Sequence, residues 1–203
     1  MNRRNYQKEL DAVIAEKGPK DPAPRLLLHS CCAPCSSYVL EYLSAFFEIT
    51  VYYYNPNIYP PEEFTVRAGE QQRLIDDMKP LHPIHFRTGV YQPEEFYTCI
   101  KGMEELPEGS QRCFACYELR LSEAAKLAAA EQFDYFTTTL SISPLKNADK
   151  INEIGERLAA KYHVRHLPSD FKKKNGYKRS VQLSTEYGLY RQDYCGCIFS
   201  LRS

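Results

Sequence analysis

Seven of the eight cysteines in this 203-residue chain fall into three tight groups: Cys31-Cys32-x-x-Cys35, Cys113-x-x-Cys116 and Cys195-Gly196-Cys197. Two thiols at x-x spacing reach one metal ion or one cluster edge from a single turn, and zinc and iron–sulfur sites both use such pairs. Four thiolates complete one centre and leave three, so the count points to a four-cysteine centre with a second site beside it. A zinc ribbon needs only four. The competing chemistry is dithiol redox, in which Cys195 and Cys197 close into a strained, reducible disulfide. Cys99 stands alone on a helical stretch, where a free cysteine is ordinarily a small core residue.

Two polar segments accompany the thiols. Phe171 to Ser180 carries five basic residues, Lys172, Lys173, Lys174, Lys178 and Arg179, with Tyr177 interleaved. Such a stretch can follow a phosphate backbone while the ring stacks on a base, or it can be a solvated loop. Tyr190, Arg191, Asp193 and Tyr194 run directly into the C-terminal cysteine pair. His29, just before the first thiols, is either a proton source or a satisfied hydrogen-bonding histidine. Ser141, Ser143, Lys146 and Asn147 lie in one loop, as site residues or as turn and capping residues.

The elements that must position these groups alternate. Leu26-Leu27-Leu28 reads as a strand, Cys31 to Cys35 as the turn after it, and Tyr38, Val39, Tyr42 and Leu43 as an amphipathic helix. A helix N-terminus favours thiolate over thiol. Glu48–Tyr54, Ile84–Gly89, Asp134–Leu140 and Val164–Leu167 read as further strands. Helices are expected from Tyr6 to Lys17, from Pro60-Pro61 to about Lys79, from Glu94 to Met103, from the Cys113 pair through Ala128, and from Ala148 to Tyr162. Gly18-Pro19 ends the first helix, and Asp21-Pro22-Ala23-Pro24 is a stiff linker. Strand–helix alternation predicts a single α/β domain with a mainly parallel sheet flanked by helices. Residues 1–24 form a leader helix and linker, and 168–203 an irregular basic and metal-binding tail. In open α/β sheets, sites lie outside the carboxyl ends of the strands, where the cysteines fall.

Composition narrows the function classes. With 26 Lys+Arg against 26 Asp+Glu there is no global basic field, though a local basic patch remains open. No stretch has the apolar length of a membrane span, and the polar N-terminus lacks a signal-peptide core. A cytoplasmic protein is expected. In a reducing compartment its cysteines serve metal or redox chemistry rather than structural disulfides.

The segments LLLHSCCAPCSSYVLEYL, RCFACYELRL, TTTLSISPLKN and YRQDYCGC together resemble the cobalamin-independent, QueH-type epoxyqueuosine reductases, in order and over most of the chain. The resemblance implies a nucleotide-binding, HUP-like α/β sheet and an oxidoreductase that converts epoxyqueuosine to queuosine at the tRNA wobble position. It also implies a 4Fe-4S cluster with an adjacent mononuclear iron, tRNA as macromolecular substrate, and an external reductase or ferredoxin-like electron donor. Cys31, Cys32, Cys113 and Cys116 are assigned to the cluster, and Cys35, Cys195 and Cys197 to the second site. Arg191, Asp193 and Tyr194 join Cys195 and Cys197 as catalytic candidates that supply protons or hold the diol. Lys172, Lys173, Lys174, Tyr177, Lys178 and Arg179 are the tRNA-binding candidates. The glycine-rich loop of ATP-using relatives of this sheet is replaced by Ser30 to Cys35, so ATP use is not expected. A zinc-stabilised RNA-binding module and a thiol oxidoreductase are the alternatives.

Overall fold

The structure, a computed structural model, describes residues 4–17 and 22–201. The Gly18-Pro19 stop and the first residue of the proline linker lie outside the described residues. The chain runs α1 (Tyr6–Lys17), β1 (Arg25–His29), α2 (Ala33–Leu43), β2 (Glu48–Tyr53), α3 (Pro61–Asp77), β3 (Ile84–Thr88) and α4 (Pro93–Cys99). It continues with α5 (Gln111–Ala130), β4 (Tyr135–Thr138), α6 (Ala148–Tyr162), β5 (Arg165–His166) and α7 (Gly176–Glu186). The five strands form one parallel sheet in the order β3-β2-β1-β4-β5. Among the described residues no helix is long and apolar enough to cross a membrane.

β1 is central, and its apolar run is what burial on both faces requires. Leu26 and Leu28 join the core formed with Leu10 of α1, Val39, Leu40 and Leu43 of α2, and Leu74 of α3. Leu27, pointing the other way, joins Leu121, Ala124 and Ala128 of α5 and Ile151, Ile154 and Leu158 of α6. Alternation along one strand thus holds a helical layer on each face. The chain leaves β1 toward one neighbour and β4 toward the other. The β1–α2 turn and the segment after β4 therefore open at the switch point of the sheet, where such folds bind ligands.

The elements depart from the sequence expectation in a few places. The fourth strand stops at Thr138, whose hydroxyl accepts a bond from the Leu140 amide and turns Thr139–Ile142 into a 3-10 segment. α4 ends at Cys99, ahead of Gly102 at φ +81°, a conformation outside the helix. The fifth strand keeps only two residues. The C-terminal stretch is irregular apart from α7 and a 3-10 turn at Ile198–Ser200. α7 packs on α2 through Gly176, Ser180, Leu183 and Ser184, and small or hydroxyl residues leave little hydrophobic periodicity to read.

Candidate metal-thiolate site

The first thiols sit on a rigid floor. His29, fully buried at the end of β1, is 3.1 Å from the Tyr54 carbonyl through Nε2 and 2.8 Å from Thr138 Oγ1 through Nδ1. A carbonyl only accepts, so Nε2 carries the proton and the threonine hydroxyl donates to Nδ1. Burial pushes the imidazole down to about 3. His29 is a neutral tie between three strands rather than a proton source. Ser30 and Ser36 pack their hydroxyls 2.6 Å apart, each 2.7 Å from Gln71 Oε1. Asn55 donates to the Ser30 carbonyl at 2.8 Å.

On this floor the sulfur atoms of Cys31, Cys32 and Cys35 lie within 4.8 Å of one another, with Cys31 and Cys32 3.9 Å apart. Thiolates about 2.3 Å from a tetrahedral ion stand about 3.8 Å from each other, so these three sulfurs are spaced to hold one metal ion. Cys35 lies with Cys31 and Cys32 and also shares the lining of one cavity with Cys195. Thiols donated by Cys32 and Cys35 hold Cys31 well below the usual thiol range. The contact with Cys31 pushes Cys32 up to about 12, and contacts with both push Cys35 well up. Binding through all three sulfurs must release the protons the thiols still hold, so apparent affinity should rise with pH. Anaerobic cobalt titrations one pH unit apart near neutrality, read through the thiolate–cobalt absorption, measure this. A pH-independent affinity would show that the three thiols do not bind together.

The other four thiols lie on α5 and near the C-terminus. Cys113 is in the first turn of α5 and accepts from the Gly109 amide at 3.2 Å. Cys116, one turn on, is buried, and burial pushes its thiol up to about 12. Both lie in the field of Cys195 and Cys197. Cys116 and Cys197 also share an apolar cluster with Phe96, Ile100 and Cys99. The three cysteine groups therefore meet at the carboxyl end of the sheet. Cys99 is half-buried beside them, and burial raises its thiol to about 11.

Buried cations surround the thiols. Arg120, one turn beyond Cys116 on α5, is 2% exposed, with Nη1 3.1 Å from Asn55 Oδ1 and Nη2 buried without a partner. Burial works against its charge, but Cys116, Cys195 and Cys31 more than offset this. Lys146, only half-buried, is likewise held charged by Cys195, Cys31 and Cys35. Arg67 on α3 is 1% exposed and lies in the field of Cys32. Seven thiols with unsatisfied buried cations suit a metal–thiolate centre of net negative charge. No sequence signal marks Arg67 or Arg120, since arginine on an amphipathic helix ordinarily faces solvent. Only the one-turn offsets of Arg120 from Cys116 and of Arg67 from Glu63 hint otherwise.

A cavity of about 240 Å³ opens onto the trio. Cys195, Arg191, Asp193 and Tyr194 line it, as do Tyr177, Lys146 and Gln192, whose Oε1 is buried and unpartnered. Arg191 donates to Ser184 Oγ at 3.0 Å. The basic stretch is split. Lys172, Lys173 and Lys174 lie in the turn before α7, and Tyr177, Lys178 and Arg179 in its first turns. Lys172 is paired with Asp170, Lys174 with Asp11, and Arg179 with Glu41 and Glu186. Among the described residues Lys173 and Lys178 have no ion-pair partner. Tyr177 is 42% exposed at the cavity mouth.

Residues 26–203 match the sequence model of a family described as "Epoxyqueuosine reductase QueH". The chain is 42% identical over 200 residues to a Staphylococcus epidermidis protein named epoxyqueuosine reductase QueH, covering 97% of this chain and 84% of that one. A Streptococcus pyogenes protein of the same name is 42% identical over 98% of this chain and 78% of its own. A Thermotoga maritima protein of that name is 37% identical over 87% of this chain and 90% of its own.

Proposed function

The chain belongs to the epoxyqueuosine reductase QueH family, and from that premise we propose that it reduces epoxyqueuosine to queuosine at the wobble position of tRNA. The observation that carries the reading is the Cys31, Cys32 and Cys35 trio, spaced to hold one metal ion, at a cavity that Cys195 and Lys146 also line. The reaction takes two electrons and two protons, turning the epoxide into an alkene and releasing its oxygen as water. A 4Fe-4S cluster bound here would supply electrons singly, and a neighbouring iron would supply Lewis acidity for opening the epoxide. Cys113, Cys116, Cys195 and Cys197 would hold the cluster and Cys31, Cys32 and Cys35 the single iron. The influence of Cys195 and Cys197 on Cys113 and Cys116, and the close spacing of the last three, support that division.

The protein's own groups handle substrate and protons. Burial keeps the Tyr194 phenol above its ordinary range, so it stays protonated at neutral pH. Lys146 at the cavity lip remains an ammonium. Both can give a proton to, or hydrogen-bond, the leaving oxygen. Asp193 and Gln192 line the same wall and offer acceptors to the substrate diol. Electrons come from an external reductase or ferredoxin-like protein. The test is anaerobic incubation of iron-loaded protein and a chemical reductant with tRNA carrying epoxyqueuosine, followed by nucleoside analysis. Queuosine formed by a brown, iron- and sulfide-containing protein is expected. A colourless zinc protein that leaves the nucleoside unchanged would overturn the proposal.

On this reading tRNA lies across the cavity mouth, with Tyr177 available for stacking and Lys173 and Lys178 for phosphates. Replacing Lys172, Lys173 and Lys174 together with alanine should weaken binding and reduce the salt slope by about one rather than about three. Lys172 and Lys174 are already paired with carboxylates, so they release few counterions. Affinity measured over a salt series checks this. An unchanged slope would remove the turn from the interface.

A further inference from the structure

We propose that Arg67 is a positioning residue that holds the Cys195-Gly196-Cys197 arm over the thiol cavity, through a clasp with Glu63, Tyr190 and Tyr194. Arg67 faces inward from α3, where each donor that finds a partner offsets part of the cost of burying the guanidinium. Glu63, one turn earlier, takes Nε at 2.7 Å. Nη2 is buried without a partner, while Nη1 and the guanidinium face address the arm. Nη1 reaches the Cys195 carbonyl at 3.5 Å, and the plane lies 4.9 Å from the centre of the Tyr194 ring. Glu63 accepts at its other side from the Tyr190 hydroxyl at 3.1 Å, and the Tyr190 amide donates to Glu70 at 2.7 Å.

Gly196 shows how closely the arm is seated. Its φ is +130°, and a Cβ there would stand 3.1 Å from Arg67 Nη1 and 3.4 Å from Asn57 Nδ2. A side chain would both strain the backbone and lift the arm from the guanidinium. The Gly196 carbonyl in turn accepts from the Tyr59 amide at 2.8 Å. The arm has no regular secondary structure between α7 and Ile198, so these contacts are what fix the direction of its two thiols.

The clasp deepens the function proposed above, and its link to turnover rests on that reading. The seating of the arm does not, and it can be measured on metal-free, reduced protein by hydrogen exchange. In Arg67→Met, residues 190–201 and the Tyr59 amide should exchange about tenfold faster or more, with the β1 amides unchanged. Tyr194→Leu removes the stacked ring from the outer side without touching the core, and should give the same local effect in smaller measure. It decides the matter if Arg67→Met fails to fold. Unchanged exchange in the arm, or equal acceleration in the arm and β1, would overturn the clasp. In iron-loaded Arg67→Met the kcat should fall more than the KM for tRNA rises. Full turnover despite a loosened arm would overturn the positioning role. Failure of the function proposal itself would show separately, as wild-type protein inactive on epoxyqueuosine.

Discussion

Cys113→Ser and Cys197→Ser, isolated without oxygen, are both expected to lose most acid-labile sulfide and iron. Cys35→Ser should keep the sulfide, lose about one iron per chain, and lose turnover by at least about a hundredfold. A serine hydroxyl is harder and far less acidic than a thiol, so an iron at that corner is poorly held. The different outcomes follow from which sulfurs are neighbours. Cys31, Cys32 and Cys35 lie within 4.8 Å of each other on one turn and the start of α2. Cys113 and Cys116 lie instead in the field of Cys195 and Cys197. The sequence assignment, with Cys31 and Cys32 joining Cys113 and Cys116, makes the opposite forecast. Cys32→Ser would strip the sulfide, and Cys197→Ser would spare it while abolishing turnover. Iron and sulfide per chain for the four variants, with epoxyqueuosine reduction assayed in parallel, separate the two divisions.

That Cys31, Cys32 and Cys35 could hold a metal ion was legible from spacing, because a Cys-Cys-x-x-Cys run restricts where its sulfurs can point. Spacing says less about how the seven would divide between two centres, because that depends on which loop ends face each other across the switch point. The sheet was legible for a related reason. A strand buried on both faces, such as Leu26–Leu28, must be apolar throughout, and Glu48–Tyr53 alternates as its burial does. α7 was not legible, because its inward face is made of Gly176, Ser180 and Ser184 rather than of large apolar residues. The basic residues of 172–179 were visible as a charge run. That Lys172, Lys174 and Arg179 are held by Asp170, Asp11, Glu41 and Glu186, some of them far away in sequence, was not.

Arg120→Met is expected to leave the metal-free protein about as stable as wild type while sharply reducing the stability gained on metal loading. In the metal-free state the guanidinium is a buried charge whose hydrogen bonds go to Asn55 Oδ1 and, at 3.4 Å, the Cys116 carbonyl. Among the described residues no carboxylate pairs with it, and Nη2 has no partner. Exchanging such a buried charge for an apolar side chain of similar length is commonly neutral or stabilising by about 1–4 kcal/mol. Against this, the acceptors left behind cost about 1–3 kcal/mol, so the two effects nearly cancel. Asn55 itself stays anchored through its bond to the Ser30 carbonyl. In the loaded state the balance changes, because metal binding deprotonates thiols that are protonated without it, Cys116 among them. Removing the guanidinium should weaken metal binding about ten- to a hundredfold, as loss of a group supporting metal ligands ordinarily does. The increment in melting temperature on loading shrinks accordingly, since it follows the ratio of free metal to dissociation constant. Arg120→Lys, which keeps the charge but not the planar fork, should recover part of the increment. Melting curves of metal-free and loaded protein for the three forms test this. An equal drop in both states, with the loading increment intact, would mark Arg120 as a packing residue of α5, and the charge of the bound centre would then have to be balanced by Lys146 and Arg67.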